Sequence, residues 1–336
     1  MSRYLAGRLA SLLPVLLLVL VLVFSLSRLI PGDPAIALLG PGATDAQVVA
    51  LRSQLHLDRS PPAQFLSYLQ GVLQGDLGTS MQTGQAVTRA LAERLPATLE
   101  LTFTATLMAL LIGIPAGVVA ALRHQRPADH VIRVVSLTGV STPAFLLALL
   151  LQLVFSITLG WLPISGRLSP YIVADPITGF ALLDALLLGD PEQLRDAVLH
   201  LLLPSLVLAA YLASVVARFV RTSMIEVLGE DYIRTARAKG LSKTAVVLRH
   251  GLRNALLPAI TVVGLSFAEM LGGAILTETV FSWPGIGRLM LDAIRNRDYP
   301  VIQGATLVFA LLFVMTSLAV DLLYGALDPR IRRKMQ

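Results

Sequence analysis

Six stretches of the chain are apolar over the ~20 residues that an α-helix needs to cross a hydrocarbon core. They lie at 9–27, 101–122, within 134–161, and at 197–217, 255–277 and 299–320. Five contain no Asp, Glu, Lys or Arg, and the run at 255–277 contains one acid, Glu269. The bilayer core offers no water to a bare backbone, so runs of this length read as helices that close their hydrogen bonds internally. The expected fold is an all-α integral membrane protein, a single transmembrane domain over residues 1–336 with six spans. A further apolar stretch, 180–188, is too short to cross and carries Asp184, which suits an interfacial or loop helix. The first run has some features of a cleavable leader, with Ala35-Ile36-Ala37 resembling a cleavage site. Its apolar part is too long and that site lies too far beyond it, so the run is expected to remain as a span.

Composition agrees. Only 14% of the 336 residues are charged and 55% are hydrophobic, with a mean hydropathy of +0.74. A soluble domain carries about 25% charged residues. The absence of cysteine excludes thiolate metal sites, iron–sulfur clusters, disulfides and cysteine nucleophiles. A net charge of +6 could suggest nucleic acid, but the charges are sorted by membrane side, which points to a lipid bilayer instead. With the N-terminus inside, 17 of the 27 Lys and Arg fall in cytoplasmic segments, and thirteen of the 21 acids fall outside. The cytoplasmic set runs from Arg3 and Arg8 through Arg123, Arg126 and Arg133 to Arg330, Arg332, Arg333 and Lys334, with the densest group at 218–253. Both termini are therefore expected in the cytoplasm, with outer loops at 31–96 and 160–196 and a cytoplasmic loop at 218–254.

No constellation for catalysis emerges. The chain lacks the G-x-x-x-x-G-K-[ST] phosphate loop, and its five histidines show neither i,i+4 pairing nor H-E-x-x-H, so neither ATP hydrolysis nor metal catalysis is expected of it. Gly264-Leu265-Ser266-Phe267-Ala268 only echoes a nucleophile elbow and sits in a helical run. Glu269 is the one ionisable residue deep in a span. It would face protein or water, either on a permeation path or subunit interface with Ser266 and Gly272, or as a structural carboxylate between helices. Small-residue ridges at Gly113/Gly117 and Gly264/Ala268/Gly272 allow close helix approach, within the subunit or between subunits.

The densest cytoplasmic feature is Asp231-Tyr232-Ile233-Arg234-Thr235-Ala236-Arg237-Ala238-Lys239-Gly240-Leu241-Ser242. Its Ala, Arg and Lys favour a short helix, Gly240 suits the left-handed residue that ends one, and Ser242 can cap a second helix toward Asn254. Arg234 and Arg237 share a face. A basic loop lying on anionic lipid is the plainer alternative.

This segment, with Arg253-Asn254-Ala255-Leu256-Leu257-Pro258 after it, resembles the ATPase-coupling loop of bacterial binding-protein-dependent (ABC) transporters, in the form found in the peptide/nickel permease group. Further matches occur in family order. They are Ile30-Pro31-Gly32-Asp33-Pro34, Asp76-Leu77-Gly78-Thr79-Ser80, Leu95-Pro96-Ala97-Thr98-Leu99-Glu100-Leu101, Glu278 to Gly287, Arg297-Asp298-Tyr299-Pro300, and Asp321 to Tyr324 with Leu327 to Arg330.

The resemblance implies the six-helix permease of a type I ABC importer with a cytoplasmic coupling helix, in the bacterial inner membrane. It implies a second homologous permease, two cytoplasmic ATPases that hold ATP and Mg, and an extracytoplasmic solute-binding protein. No cofactor would be bound by this chain, and it would not itself be an enzyme. Residues Asp231, Tyr232, Arg234, Thr235, Ala236, Arg237, Ala238, Lys239, Gly240 and Leu241 would form the ATPase contact, while Gly251, beyond the matched core, would tolerate change better. The stretch 175–184 looks most like dipeptide permeases, which makes dipeptides or short peptides the expected substrate and nickel, glutathione or oligopeptides the alternatives. A secondary transporter would call for inverted repeats and several intramembrane charges. A membrane hydrolase would call for a nucleophile–base pair.

Overall fold

The computed structural model describes residues 14–25, 39, 42–54, 58–172 and 175–327, and every regular element among them is helical. The helices are α1 (Pro14–Ser25), α2 (Asp45–Gln54), α3 (Pro61–Leu73), α4 (Val87–Leu122), α5 (Pro127–Ser141), α6 (Ala144–Thr158), α7 (Ala181–Leu188), α8 (Pro191–Gly229), α9 (Asp231–Ala238), α10 (Arg253–Gly273), α11 (Ile275–Val280), α12 (Ile286–Asn296) and α13 (Tyr299–Leu327). Outside the described residues lie the ends of the expected first span, the motif at 30–34, the Ala35-Ile36-Ala37 site and the basic cluster at 330–334.

Three helices, α4, α8 and α13, are long and apolar enough to cross a membrane by themselves. The single span expected within 134–161 is instead two helices, α5 and α6, set at 107°. The cause is local. Pro143 cannot donate to the helical ladder and pushes Thr142 out of helical backbone, to ψ 123°. The fifth span bends by 52° between Lys243–Leu256 and Pro258–Gly272, again at a proline. The short apolar stretch at 180–188 is a helix of eight residues, ended by Gly189 in the left-handed conformation.

Packing divides the chain into two compact units, Met1–Pro96 with Gly285–Val314 and Ala97–Pro284 with Met315–Gln336. In the first, Val87 and Leu91 of α4 bury against Ile286 and Ala293 of α12 and Val301 and Ala305 of α13. Gly304 must be glycine, because a Cβ there would lie 2.6 Å from Val87. Buried Asp298 accepts hydrogen bonds from the Ser80 hydroxyl at 2.5 Å and from the Met81 and Gln82 amides at 3.1 and 3.3 Å. A carboxylate that gathers three donors fixes the loop before α4 onto the start of α13.

In the second unit α8 is the hub. Its Leu201, Leu208, Leu212, Val216, Val220 and Met224 are buried in the largest apolar cluster, which also includes Leu101 and Trp283. Two neighbours reach its backbone through glycine. Added Cβ atoms on Gly113 and Gly117 of α4 would each lie 2.7 Å from a carbonyl oxygen of α8, of Ala213 and Ala217 respectively. On α5, Gly139 faces Ser214 and the Ala210 carbonyl. The Gly113/Gly117 ridge therefore packs inside this chain.

The segment between α6 and α8 is pinned by polar contacts within the same unit. Arg167 pairs with Glu100 of α4 at 2.6 Å and donates to the Gly179 carbonyl, while Glu100 also accepts from the Leu182 amide. Asp196 accepts from the Ser169 amide and hydroxyl, both at 2.7 Å. Burial works to raise the Asp184 carboxyl, but hydrogen bonds from the Thr178 hydroxyl and the Thr178 and Gly179 amides outweigh it and hold the group below the usual carboxylate range. Deeper in, the Trp283 indole donates to the Ala97 carbonyl at 2.8 Å and Thr98 donates to buried Glu278 at 2.7 Å.

Close backbone contact makes a sharp prediction. Gly117→Leu should destabilise the purified protein by about 1–3 kcal/mol or more through overpacking, lowering its thermal unfolding midpoint in detergent. Gly272→Ala, where an added Cβ meets nothing within 4 Å, should leave the midpoint unchanged.

Candidate functional site

Helix α9 is two turns long and turns its whole polar complement outward. Ile233 and Ala236 are buried and pack with Val246 and Leu228. Asp231, Tyr232, Arg234, Thr235, Arg237, Ala238, Lys239, Gly240 and Leu241 are exposed. A helix this short is marginal by itself in water, so its order comes from the apolar anchor and from its ends. At its C-terminus Gly240 takes φ +78°, its amide bonds the Arg237 carbonyl, and the Leu241 amide bonds the Ala236 carbonyl. This is the Schellman closure, in which a left-handed residue lets the last carbonyls be satisfied. Space around Gly240 is open, with nothing within 4 Å of an added Cβ. Glycine is thus set by backbone conformation there and not by crowding. The Arg234–Asp231 pair at 3.5 Å is solvent-exposed on both sides and adds little to stability.

Two ties hold α9 to the segment leading into α10. The Ser242 hydroxyl caps the next turn, accepting from the Ala245 amide at 3.3 Å. Asn254, at the start of α10, donates to the Tyr232 hydroxyl at 2.9 Å. Between them the chain is wound as a wide π-turn over Val246–Leu252, a geometry that departs from the regular ladder and recurs at functional sites. Sequence reading anticipated the cap. It missed the wide turn and the Tyr232–Asn254 bond, whose partners lie 22 apart in sequence and left no local signal.

Gly251 does not suit the tolerant role expected of it. It is buried in the wide turn, with Met224 and Leu228 each 3.4 Å from an added Cβ. A carboxylate there would be desolvated against two apolar side chains.

The second candidate group separates. Glu269 and Gly272 lie on an exposed face of α10, whereas Ser266 is buried within the chain. Gly264 packs against Val320 of α13, so the ridge it begins serves internal packing at that end. Among the described residues no group of three His, Asp or Glu side chains is placed to hold a metal ion.

The chain is similar to known proteins along nearly its whole length. The family described as "Binding-protein-dependent transport system inner membrane component" matches residues 113–333, and its N-terminal counterpart matches residues 1–102. The chain is 47% identical over 335 residues to the di/tripeptide transport system permease protein DppB of Pseudomonas aeruginosa (strain UCBPP-PA14), covering 99% of this chain and 100% of that protein. It is equally similar, with the same coverage, to the glutathione transport system permease protein GsiC of Salmonella typhi. The dipeptide transport system permease protein DppB of Escherichia coli (strain K12) is 43% identical over 338 residues, covering 99% of this chain and 100% of that protein. Among solved structures, an inward-facing form of the MetNI methionine ABC transporter shares the fold, at 16% identity and a TM-score of 0.53, over 71% of this chain and 97% of that chain.

The geometry of the site predicts opposite outcomes at its two glycines. Gly240→Asp should strain only the end of α9, by about 1–2 kcal/mol, seen as faster amide exchange confined to 231–241 with the unfolding midpoint of the whole protein nearly unchanged. Gly251→Asp should lower that midpoint.

Proposed function

Since the chain belongs to the inner-membrane components of binding-protein-dependent transport systems, we propose that it is the permease subunit of an ATP-driven importer of dipeptides or other short peptides. The observation that carries this reading is end-to-end identity of 47% with a di/tripeptide permease. Equal identity with glutathione permeases makes glutathione, itself a small peptide, the favoured alternative. In this reading residues 1–336 act as one membrane domain with six spans and both termini in the cytoplasm, α5 with α6 and the bent segment through α10 each counting as one crossing. The charge sorting supports that orientation.

Mechanistically, the chain works as half of a pathway whose other half is a second, homologous permease. A solute-binding protein delivers substrate from outside, and two ATPases on separate chains bind ATP and Mg. Their closure is felt at the exposed face of α9 and shifts the population between inward-open and outward-open states. The residues Asp231 to Leu241 present backbone and cations to a groove on the ATPase. The apolar anchor at Ile233 and Ala236 and the Tyr232–Asn254 bond carry the push to α10. Glu269, on the exposed face of α10, lines the path or the permease–permease interface.

Uptake of labelled dipeptides and of glutathione by the reconstituted complex, with the ATPase and binding-protein chains present, tests the substrate. Dipeptide uptake should exceed that of glutathione, and the reverse ranking replaces the main reading with the alternative. Gly240→Asp should weaken ATPase docking roughly 5–30-fold, the equivalent of about 1–2 kcal/mol of strain, or leave hydrolysis running without uptake. Normal transport by that variant would remove the coupling role from this loop. For topology, a Lys243→Cys variant of this cysteine-free chain should resist an impermeant thiol reagent added outside sealed cells. Glu269→Gln should impair transport or assembly with the second permease, and unchanged behaviour in both assays would reduce the carboxylate to a structural part.

A further inference from the structure

Helices α5 and α8 run past each other in opposite directions and touch at two places. Near the end of α5, Gly139 meets Ser214 and the Ala210 carbonyl. At its start, buried Asp129 holds Arg221 in a two-pronged ion pair, at 2.6 and 2.8 Å, and also accepts from the Gln125 amide. Both helices line a groove of about 560 Å³. His130, Arg133, Leu137 and Val140 of α5 recur along one face at helical spacing, and Arg218 and Arg221 of α8 complete the wall. The cations sit toward the start of α5, while the rest of the lining is mostly apolar, with Leu137 and Val140 interrupted by the small hydroxyls of Ser136 and Ser214. Arg221 is committed to Asp129. Arg133 and Arg218 are exposed and have no ion-pair partner among the described residues.

We propose that this groove is a binding site for one anionic phospholipid, its phosphate between Arg133 and Arg218 and an acyl chain along Leu137 and Val140. Charge and shape commit it to that occupant. Two unpaired guanidiniums select a phosphate, which they can hold through forked N–H donors. The apolar run beside them, on helices that lie in a bilayer, suits a ligand with a hydrocarbon tail attached to that phosphate. A zwitterionic lipid would leave net positive charge unmatched, and free phosphate would leave the apolar wall unused. Asp129 keeps Arg221 from competing and sets the spacing of the helices, so the groove is preformed. The site rests on the membrane placement of α5 and α8 and is independent of which solute is transported.

The test is native mass spectrometry of the full chain with the subunits that co-purify with it, titrated with phosphatidylglycerol, phosphatidylethanolamine or inorganic phosphate. One phosphatidylglycerol per chain should bind saturably, with phosphatidylethanolamine at least about tenfold weaker. The double variant Arg133→Gln/Arg218→Gln should lose that binding about tenfold or more. Leu137→Trp, which fills the groove and keeps both charges, should lose it as well. Arg126→Gln/Arg249→Gln, on the same side but outside the groove, should bind as the parent does. Equal affinity for the zwitterionic lipid, displacement of lipid by millimolar phosphate, or an equal loss in the control pair would each overturn the assignment. Retention by both the arginine and the tryptophan variants would do the same.

Discussion

The structure depends on how near α8 allows other backbones to come. In a bilayer, lipid tails are as apolar as leucine, so helices are not driven together by burying greasy surface. What holds them is close van der Waals contact over many atoms, each worth only about 0.1–0.2 kcal/mol. Gly113 and Gly117 put α4 on the carbonyls of Ala213 and Ala217, and Gly139 puts α5 beside Ala210. With larger residues at those positions the contact would open and the sum of small attractions would fall. Only once α8 is gripped on these sides can the polar contacts near it form, because their geometry is inherited from the helix spacing.

Those polar contacts explain why short motifs far apart in the chain belong together. Within one unit, the stretch ending in Ser80 meets the stretch holding Asp298 through a 2.5 Å hydrogen bond. Within the other, Ala97 and Thr98 receive the Trp283 indole and meet the Glu278 carboxyl. A buried carboxylate left without a donor costs far more than its hydrogen bond contributes, so each half of such a pair requires the other. Motifs of this kind are structural joints. They are separate from the exposed face of α9, where Arg237, Lys239 and Leu241 stand in the open and the few side-chain contacts, such as Arg234 with Asp231, are themselves solvent-exposed.

Local signals in the sequence carried much of this. Apolar runs located α4, α8 and α13, and glycine and serine punctuation located both ends of the turn at 238–242. What escaped was set by tertiary geometry. The bend of 107° between α5 and α6 follows from Pro143, which was visible, but a proline inside an apolar run can kink a span or divide it, and composition does not choose. Gly251 was expected to tolerate change because it lies beyond the matched core of the motif. Its burial depends on Met224 and Leu228, contributed by the end of a different helix. The Asp129–Arg221 pair joins residues 92 apart, and no periodicity links them.

Glu269 completes the physical picture. A carboxylate at the middle of a span costs about 2.5–3.5 kcal/mol even on the gentler insertion scales, unless protein or water receives it. Most buried acids of this chain found their own donors: Asp129, Asp184, Asp196, Asp298 and Glu278 are each held by named groups. Glu269 instead lies on an exposed face, next to Gly272, where an added Cβ would meet open space. Among the described residues these buried acids are held by internal donors, while Glu269, flanked by a small residue, lies on the face of α10 turned away from its own core. In a bilayer such a face requires a water-filled path or a second protein surface against it. In the reading proposed above, a second permease subunit and the path between the two halves would supply both.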